Sequence, residues 1–209
     1  MPTTFEVRGT SRDEFGAGSD SNAQLTKGGE QLVAQGLPAK LELTRLGCSW
    51  NMQIPTGSAF TNVAALPTTR SELALYNGET AGGKSYVIDR ITFLSLTDVT
   101  AAAAAQIVWQ VGAPAALTDN TAVLINSPLG MTYNGRALRA LATTTMTANK
   151  WCLAESANTG AAKTIGMGIV AEIAGGIIVR PGFTLGVNAI VGTATGTSLM
   201  GISWYELDL

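Results

Sequence analysis

The sequence predicts an all-β fold: an antiparallel β-sandwich or jelly roll carrying an extended N-terminal arm. Three observations carry that expectation. Short stretches alternate apolar and polar residues with the period of two that half-buried strands require. Turn dipeptides rich in Gly, Pro, Asn and Asp separate them at close spacing. Long amphipathic helical stripes, which would signal helices packed on a sheet, are scarce. A chain of 209 residues suits one larger β domain. At that size about 70% of the unfolded surface is buried on folding, so a self-sufficient core needs no metal or disulfide.

Residues 1–38 stand apart as an arm, with residues 39–209 forming the sandwich domain. The arm holds Arg8, Arg12, Asp13, Glu14, Asp20, Lys27 and Glu30, few large apolar residues, and glycines at 9, 16, 18, 28, 29 and 36. Residues 21–36 have the pattern of a short helix, weakened by Gly28-Gly29. From Lys40 to Arg45, Leu41 and Leu43 alternate with Glu42 and Thr44, which reads as a strand. Further strands are expected at Glu72–Tyr76, Tyr86–Leu96, Ile107–Val111, Val123–Asn126, Trp151–Glu155, Ile165–Ile169, Ile177–Arg180, Phe183–Ala189 and Leu199–Leu207. The turns between them fall at Asn77-Gly78, Ala113-Pro114, Asp119-Asn120, Asn134-Gly135, Gly175-Gly176 and Pro181-Gly182. Two segments read as helical: Ala101–Ala105, and the start of residues 135–148, before a Thr run turns it towards β.

Charged residues are only 13% of the chain and mean hydropathy is +0.23. A lone monomer keeps itself dispersed with roughly twice that charge, so the composition points to a surface covered by other subunits; the alternative is a surface of Thr, Ser, Gly and Ala, in all of which the chain is rich. The 13 basic residues are scattered and the net charge is −2, which argues against a nucleic-acid partner. No apolar run approaches a membrane span, and the first 30 residues hold no secretion-signal core. Cys48 and Cys152 each lie close to a tryptophan and read as core thiols of a reducing compartment, with a disulfide as the alternative.

The most provocative motif is Gly78–Ser85, GETAGGKS, which fits the phosphate-cradling pattern G-x-x-x-x-G-K-S. A working cradle needs a helix starting at the Lys-Ser. Here SYVIDRITFLSL follows, rich in Tyr, Val, Ile, Thr and Phe, which are strand formers. Asp98, the end of an apolar run, follows Lys84 too closely for a helix and a second strand to intervene. Asn77 to Lys84 therefore reads as a glycine-rich loop joining two antiparallel strands, with positive φ expected at Gly82-Gly83.

No residue is singled out as catalytic, cofactor-binding or metal-ligating. The chain has no histidine, which removes Ser-His-Asp and Cys-His catalysis and the common zinc sites. Glu42, Glu72, Asp89, Glu155 and Glu172 fall singly on different expected strands rather than as a pair. Asp20 and Asn22 lack the companions of a calcium loop. Trp50, Trp109, Trp151 and Trp204 lie in or beside strand patterns and read mainly as core; a sugar-binding platform is the alternative.

Three stretches taken together, AGGKSYVIDRITF, IVRPGFTLGVNAI and SLMGISWYEL, resemble small jelly-roll structural proteins of tailed bacteriophages, of the capsid decoration, cement or head-fibre type. The resemblance covers residues 72–209 loosely and rests on strand and turn chemistry. It implies a virion protein made in the host cytoplasm, often trimeric, that binds and reinforces a capsid lattice, with the major capsid protein or other virion subunits as partners. It implies no enzymatic activity and no cofactor. The arm at 1–38 is then expected to lie across neighbouring subunits. The alternatives are a carbohydrate-binding or adhesin-type β-sandwich, or a tail, collar or major-shell component.

Overall fold

The computed structural model describes residues 39–209 apart from 55–58, 62, 64, 69, 97–102, 114–116, 118, 121–122, 146–149, 160–166 and 192–196. The chain clusters into two units, Met1–Leu41 and Glu42–Leu209. The arm at 1–38, with the helix expected at 21–36, lies outside the described residues.

Among the described residues one short helix, α1 (Ala39–Arg45), precedes eleven strands: β1 (Ser49–Gln53), β2 (Phe60–Thr61), β3 (Arg70–Asn77), β4 (Ser85–Ser95), β5 (Ala103–Gly112), β6 (Ile125–Asn126), β7 (Ala137–Thr145), β8 (Cys152–Thr159), β9 (Gly168–Val179), β10 (Thr184–Val191) and β11 (Thr197–Leu207). They form two sheets, ordered β6-β1-β11-β4-β9, with β2 also on β11, and β7-β3-β10-β5-β8. Every ladder between these strands is antiparallel.

Setting aside β2, β6 and β7, the remaining eight strands pair as nested partners: β5 with β8, β4 with β9, β3 with β10, and β1 with β11. Fourth joins fifth, third joins sixth, second joins seventh and first joins last. A long hairpin rolled across two sheets in this way is the jelly roll, so the all-β sandwich predicted from the sequence is the fold observed. β6 and β7 both come from the segment between β5 and β8, and they extend the two sheets at the β1 and β3 edges.

The inner faces pack the core. Leu73, Leu75, Ile107, Leu185 and Val187 of the second sheet meet Met52, Tyr86, Ile88, Ile91, Ile202 and Trp204 of the first, all buried. β4 departs from strict alternation, since both Ile88 and Ile91 point inward. The register explains it: Trp204 pairs with Ile88 and Ser203 with Arg90, leaving Asp89 as the extra residue of a bulge. One added residue turns a spacing of two into three, and that spacing is what gives Val87, Ile88, Ile91 and Leu94 their helix-like look in the sequence.

Several expectations are corrected. Lys40–Arg45 is part of α1, not a strand: Lys, Leu, Glu and Arg all favour helix, and Glu42 and Arg45, one turn apart, form an ion pair. Gly47, at φ 75°, ends the helix, with Cys48 N–H donating to Leu43 O and Gly47 N–H to Thr44 O. Ala103–Ala105 begins β5 rather than forming a helix, because pairing with Thr159, Asn158 and Ala157 of β8, and of Ala105 with Val191 of β10, overrides alanine's propensity; Ala101 and Ala102 lie outside the described residues. Residues 137–145 are strand throughout, paired along β3. Gly175-Gly176 is no inter-strand turn. It lies within β9, where Glu172 faces Arg90 and Ile177 faces Ile88, so residues 173–176 bow out of the ladder with Ala174 at φ 48° and Gly175 at φ 86°. β1 and β2 were not expected.

Candidate functional site

The loop with the phosphate-like motif bridges β3 and β4, which lie in opposite sheets, so it is a crossover and not a hairpin. Its anchor is Asn77, fully buried at the end of β3. The Asn77 side-chain oxygen accepts from Glu79 N–H at 3.1 Å, and its amide donates to Lys84 O at 2.8 Å and Val179 O at 2.9 Å. Its backbone also exchanges bonds with the β9–β10 turn: Asn77 N–H donates to Phe183 O, and Gly182 N–H donates to Asn77 O. One asparagine thus clamps the loop and the Pro181-Gly182 turn together. Gly82 takes φ 83° with open space where a Cβ would sit; Gly83 keeps an ordinary φ. Lys84 is exposed and β4 starts at once after it, so no helix N-terminus stands behind it.

A polar cluster lies in the core near this loop. Glu206 of β11 is 4% exposed. Its Oε1 accepts from the Tyr133 hydroxyl at 2.6 Å and the Trp204 indole N–H at 3.4 Å. The Tyr133 oxygen in turn accepts from Ala137 N–H at 3.0 Å, with the Tyr86 hydroxyl 3.4 Å away. Trp50 meets the Tyr133 ring edge-on at 4.7 Å between centroids. Burial pushes the Glu206 carboxyl above the usual carboxylate range, opposed by the hydrogen bonds from Tyr133 and Trp204 and by the Lys84 charge, while Glu79 adds to the rise. Burial likewise raises Tyr86 and Tyr133, so both hydroxyls keep their protons. The cluster pins Tyr133, on the segment between β6 and β7, to the last strand. A Cβ on Gly135 would collide with the Tyr133 hydroxyl, which is why glycine follows there.

The other carboxylates do not converge. Glu42 pairs with Arg45. Glu72 is buried at a β3 irregularity, 3.4 Å from Arg70, and burial raises its pKa. Asp89 occupies the β4 bulge, Glu155 accepts from Ser156 N–H on the edge strand β8, and Glu172 is exposed on β9. Among the described residues no group of three or more His, Cys, Asp or Glu is placed to hold a metal ion. Cys48, half-buried, and Cys152, exposed, are both free thiols, so the expectation of two core thiols fails: neither belongs to the core. Trp50 and Trp204 are core residues; Trp109 and Trp151 are half-buried, and the Trp151 indole donates to Thr68 O.

The outer face of the first sheet is organised by register in a way the sequence does not display. Glu172 of β9, Arg90 of β4, Ser203 of β11, Asn51 of β1 and Asn126 of β6 stand in one row across five strands. Ser203 Oγ bonds Asn51 Oδ1 at 2.5 Å. Apolar groups flank the row on both sides: Ile178 beside Val87, and Val170 beside Thr92 with Leu94 beyond. Val170 is 51% exposed, Ile178 47% and Leu94 39%, a high apolar content for a face turned to solvent. The Asp89 bulge aligns Arg90 in this row, so the row is legible only once the bulge is known.

No protein-family model, curated protein or solved structure matches this chain.

Proposed function

We propose that this chain is a virion structural subunit of the capsid decoration or cement kind, which binds other virion subunits and reinforces the lattice through surface contacts. The observation that carries the reading is the outer face of the first sheet, where Leu94, Val170 and Ile178 stand exposed around a single Arg90–Glu172 neighbour pair. Large exposed apolar side chains grouped on one sheet face are the mark of a surface built for covering. The low charge content points the same way. The stretches that resemble phage jelly-roll proteins fall on the loop and β4, on the β9–β10 turn, and on β11, all parts of the rolled double hairpin. A fold alone does not assign a role, and jelly rolls also serve as lectins.

The test is assembly. Mass measurement and electron microscopy of the purified chain are expected to show oligomers and, with capsids present, regular surface occupancy. Deleting residues 2–30 is expected to abolish that occupancy while leaving the sandwich folded. A free monomer that ignores capsids overturns the reading, and a hit on a glycan array replaces it with the carbohydrate-binding alternative.

A further inference from the structure

The β4–β9 stripe of the outer face is complementary to itself. Consider a two-fold axis running parallel to the strands, midway between β4 and β9, with two copies of the sheet stacked face to face. The rotation sets each β4 residue over the β9 residue that it pairs with in its own chain. Thr92 then faces Val170 of the second copy. Arg90 faces Glu172, and Leu94 faces Gly168, a large side chain over a position that has none. These three pairings are favourable, and each occurs twice; at the other end of the stripe the bowed residues 173–176 lie against Val87 and bound the contact. Moving the axis onto β4 itself would put Arg90 on Arg90.

The charges are available for this. Arg90 is exposed and donates only a long 3.5 Å bond to Ser203 Oγ. The ion pairs formed among the described residues do not join it to Glu172. We therefore propose that the β4–β9 stripe is a self-association surface, joining a second copy of this chain across a two-fold axis with Arg90 and Glu172 paired reciprocally. The proposal rests on the reading of the chain as an assembling subunit and specifies one of its contacts.

The area sets the strength. Two strands, about 4.8 Å apart and about 11 residues long at about 3.4 Å each, offer roughly 360 Å² per copy. A standard stable interface covers about 800 Å² per partner. The contact is thus weak and concentration-dependent between free molecules, and gains strength when repeated in an array. The same two-fold joins lone copies or larger rings.

Sedimentation equilibrium of the full chain, from low micromolar to near-millimolar concentration, tests it. The wild type is expected to show a mass-doubling step. Arg90→Glu alone and Glu172→Arg alone should each weaken that step by about tenfold or more, because like charges then face each other twice. An equimolar mixture of the two variants should recover it, since each unlike pair again opposes opposite charges. A cross-strand pair within one chain cannot produce that recovery. Val170→Asp provides a second disruption at the apolar flank, with circular dichroism confirming that each variant is folded. A wild type of constant mass overturns the proposal, and the assembling reading falls with it only where that mass is the monomer's and the chain ignores capsids. A wild type that associates while the variants associate equally well, or while the mixture fails to recover, overturns this surface and leaves the assembling reading standing.

Discussion

Asn77→Ala removes the clamp on the crossover loop, and its cost follows from the bonds it breaks. Three side-chain hydrogen bonds are lost, at 2.8, 2.9 and 3.1 Å. Each is worth about 0.5–1.5 kcal/mol net. They do not count equally, because Glu79 N–H and Lys84 O lie where water can replace the partner, whereas Val179 O sits in the buried end of β9. Stranding that carbonyl costs about 1–3 kcal/mol, and the two wetter bonds add roughly 1 kcal/mol together. The total is about 3 kcal/mol, a shift of roughly 6–12 °C in Tm for a domain of this size. Urea unfolding followed by tryptophan fluorescence measures it, with Thr80→Ala on the exposed part of the same loop as the control. Asn77→Asp separates the donors from the acceptor: the Glu79 bond survives, but a carboxylate then faces two carbonyls. It should be worse than alanine at pH 7 and recover as acid protonates the carboxylate and restores one donor. A loss for Asn77→Ala no larger than that of Thr80→Ala would refute the claim that this residue holds the loop.

Stability should also respond to pH through three carboxylates of opposite sign. Glu206 and Glu72 have folded pKa values raised by burial, so the folded state binds more protons; their contribution is complete below the unfolded value near 4.3 and is lost as pH rises through the folded values. The urea midpoint should therefore climb as pH falls from neutral towards the unfolded value, and Glu206→Gln should flatten much of the slope. Asp119, held low chiefly by its hydrogen bond with Arg139, contributes above its unfolded value and fades as pH falls below it. Arg139→Ala breaks a two-pronged contact, Nε to Oδ1 at 3.1 Å and Nη2 to Oδ2 at 2.9 Å, on partly buried groups; a loss of about 1–2 kcal/mol is expected, with faster hydrogen exchange at the Asn120 and Val123 amides. Gly78→Ala should cost clearly more than Gly82→Ala in thermal melts, although only Gly82 has positive φ: a Cβ at Gly78 runs into the Arg136 carbonyl, whereas Gly82 pays about 1 kcal/mol for its backbone alone.

Local chemistry and long-range pairing divide the molecule between them. Alternation and turn residues, read along the chain, determined that it is an all-β sandwich, that a loop follows Asn77, that Pro181-Gly182 is a turn, and that the residues after Lys84 are strand and not helix. These follow from short-range sterics and from the period of two, which a single chain displays. The failures have two causes. At Ala103–Ala105 and the start of residues 137–145 the local preference is helical, and the strands lying beside them overrode it. Lys40–Arg45 went the other way because two alternating leucines are too few to outweigh helix formers closed by Gly47. Only the tertiary structure decided that the glycine-rich loop crosses between sheets, that Glu206 meets Tyr133 in the core, and that Arg90 and Glu172 stand side by side. Each depends on register between strands distant in sequence, and at Asp89 a single extra residue resets that register, a shift that the sequence shows only as a three-residue apolar spacing equally compatible with helix.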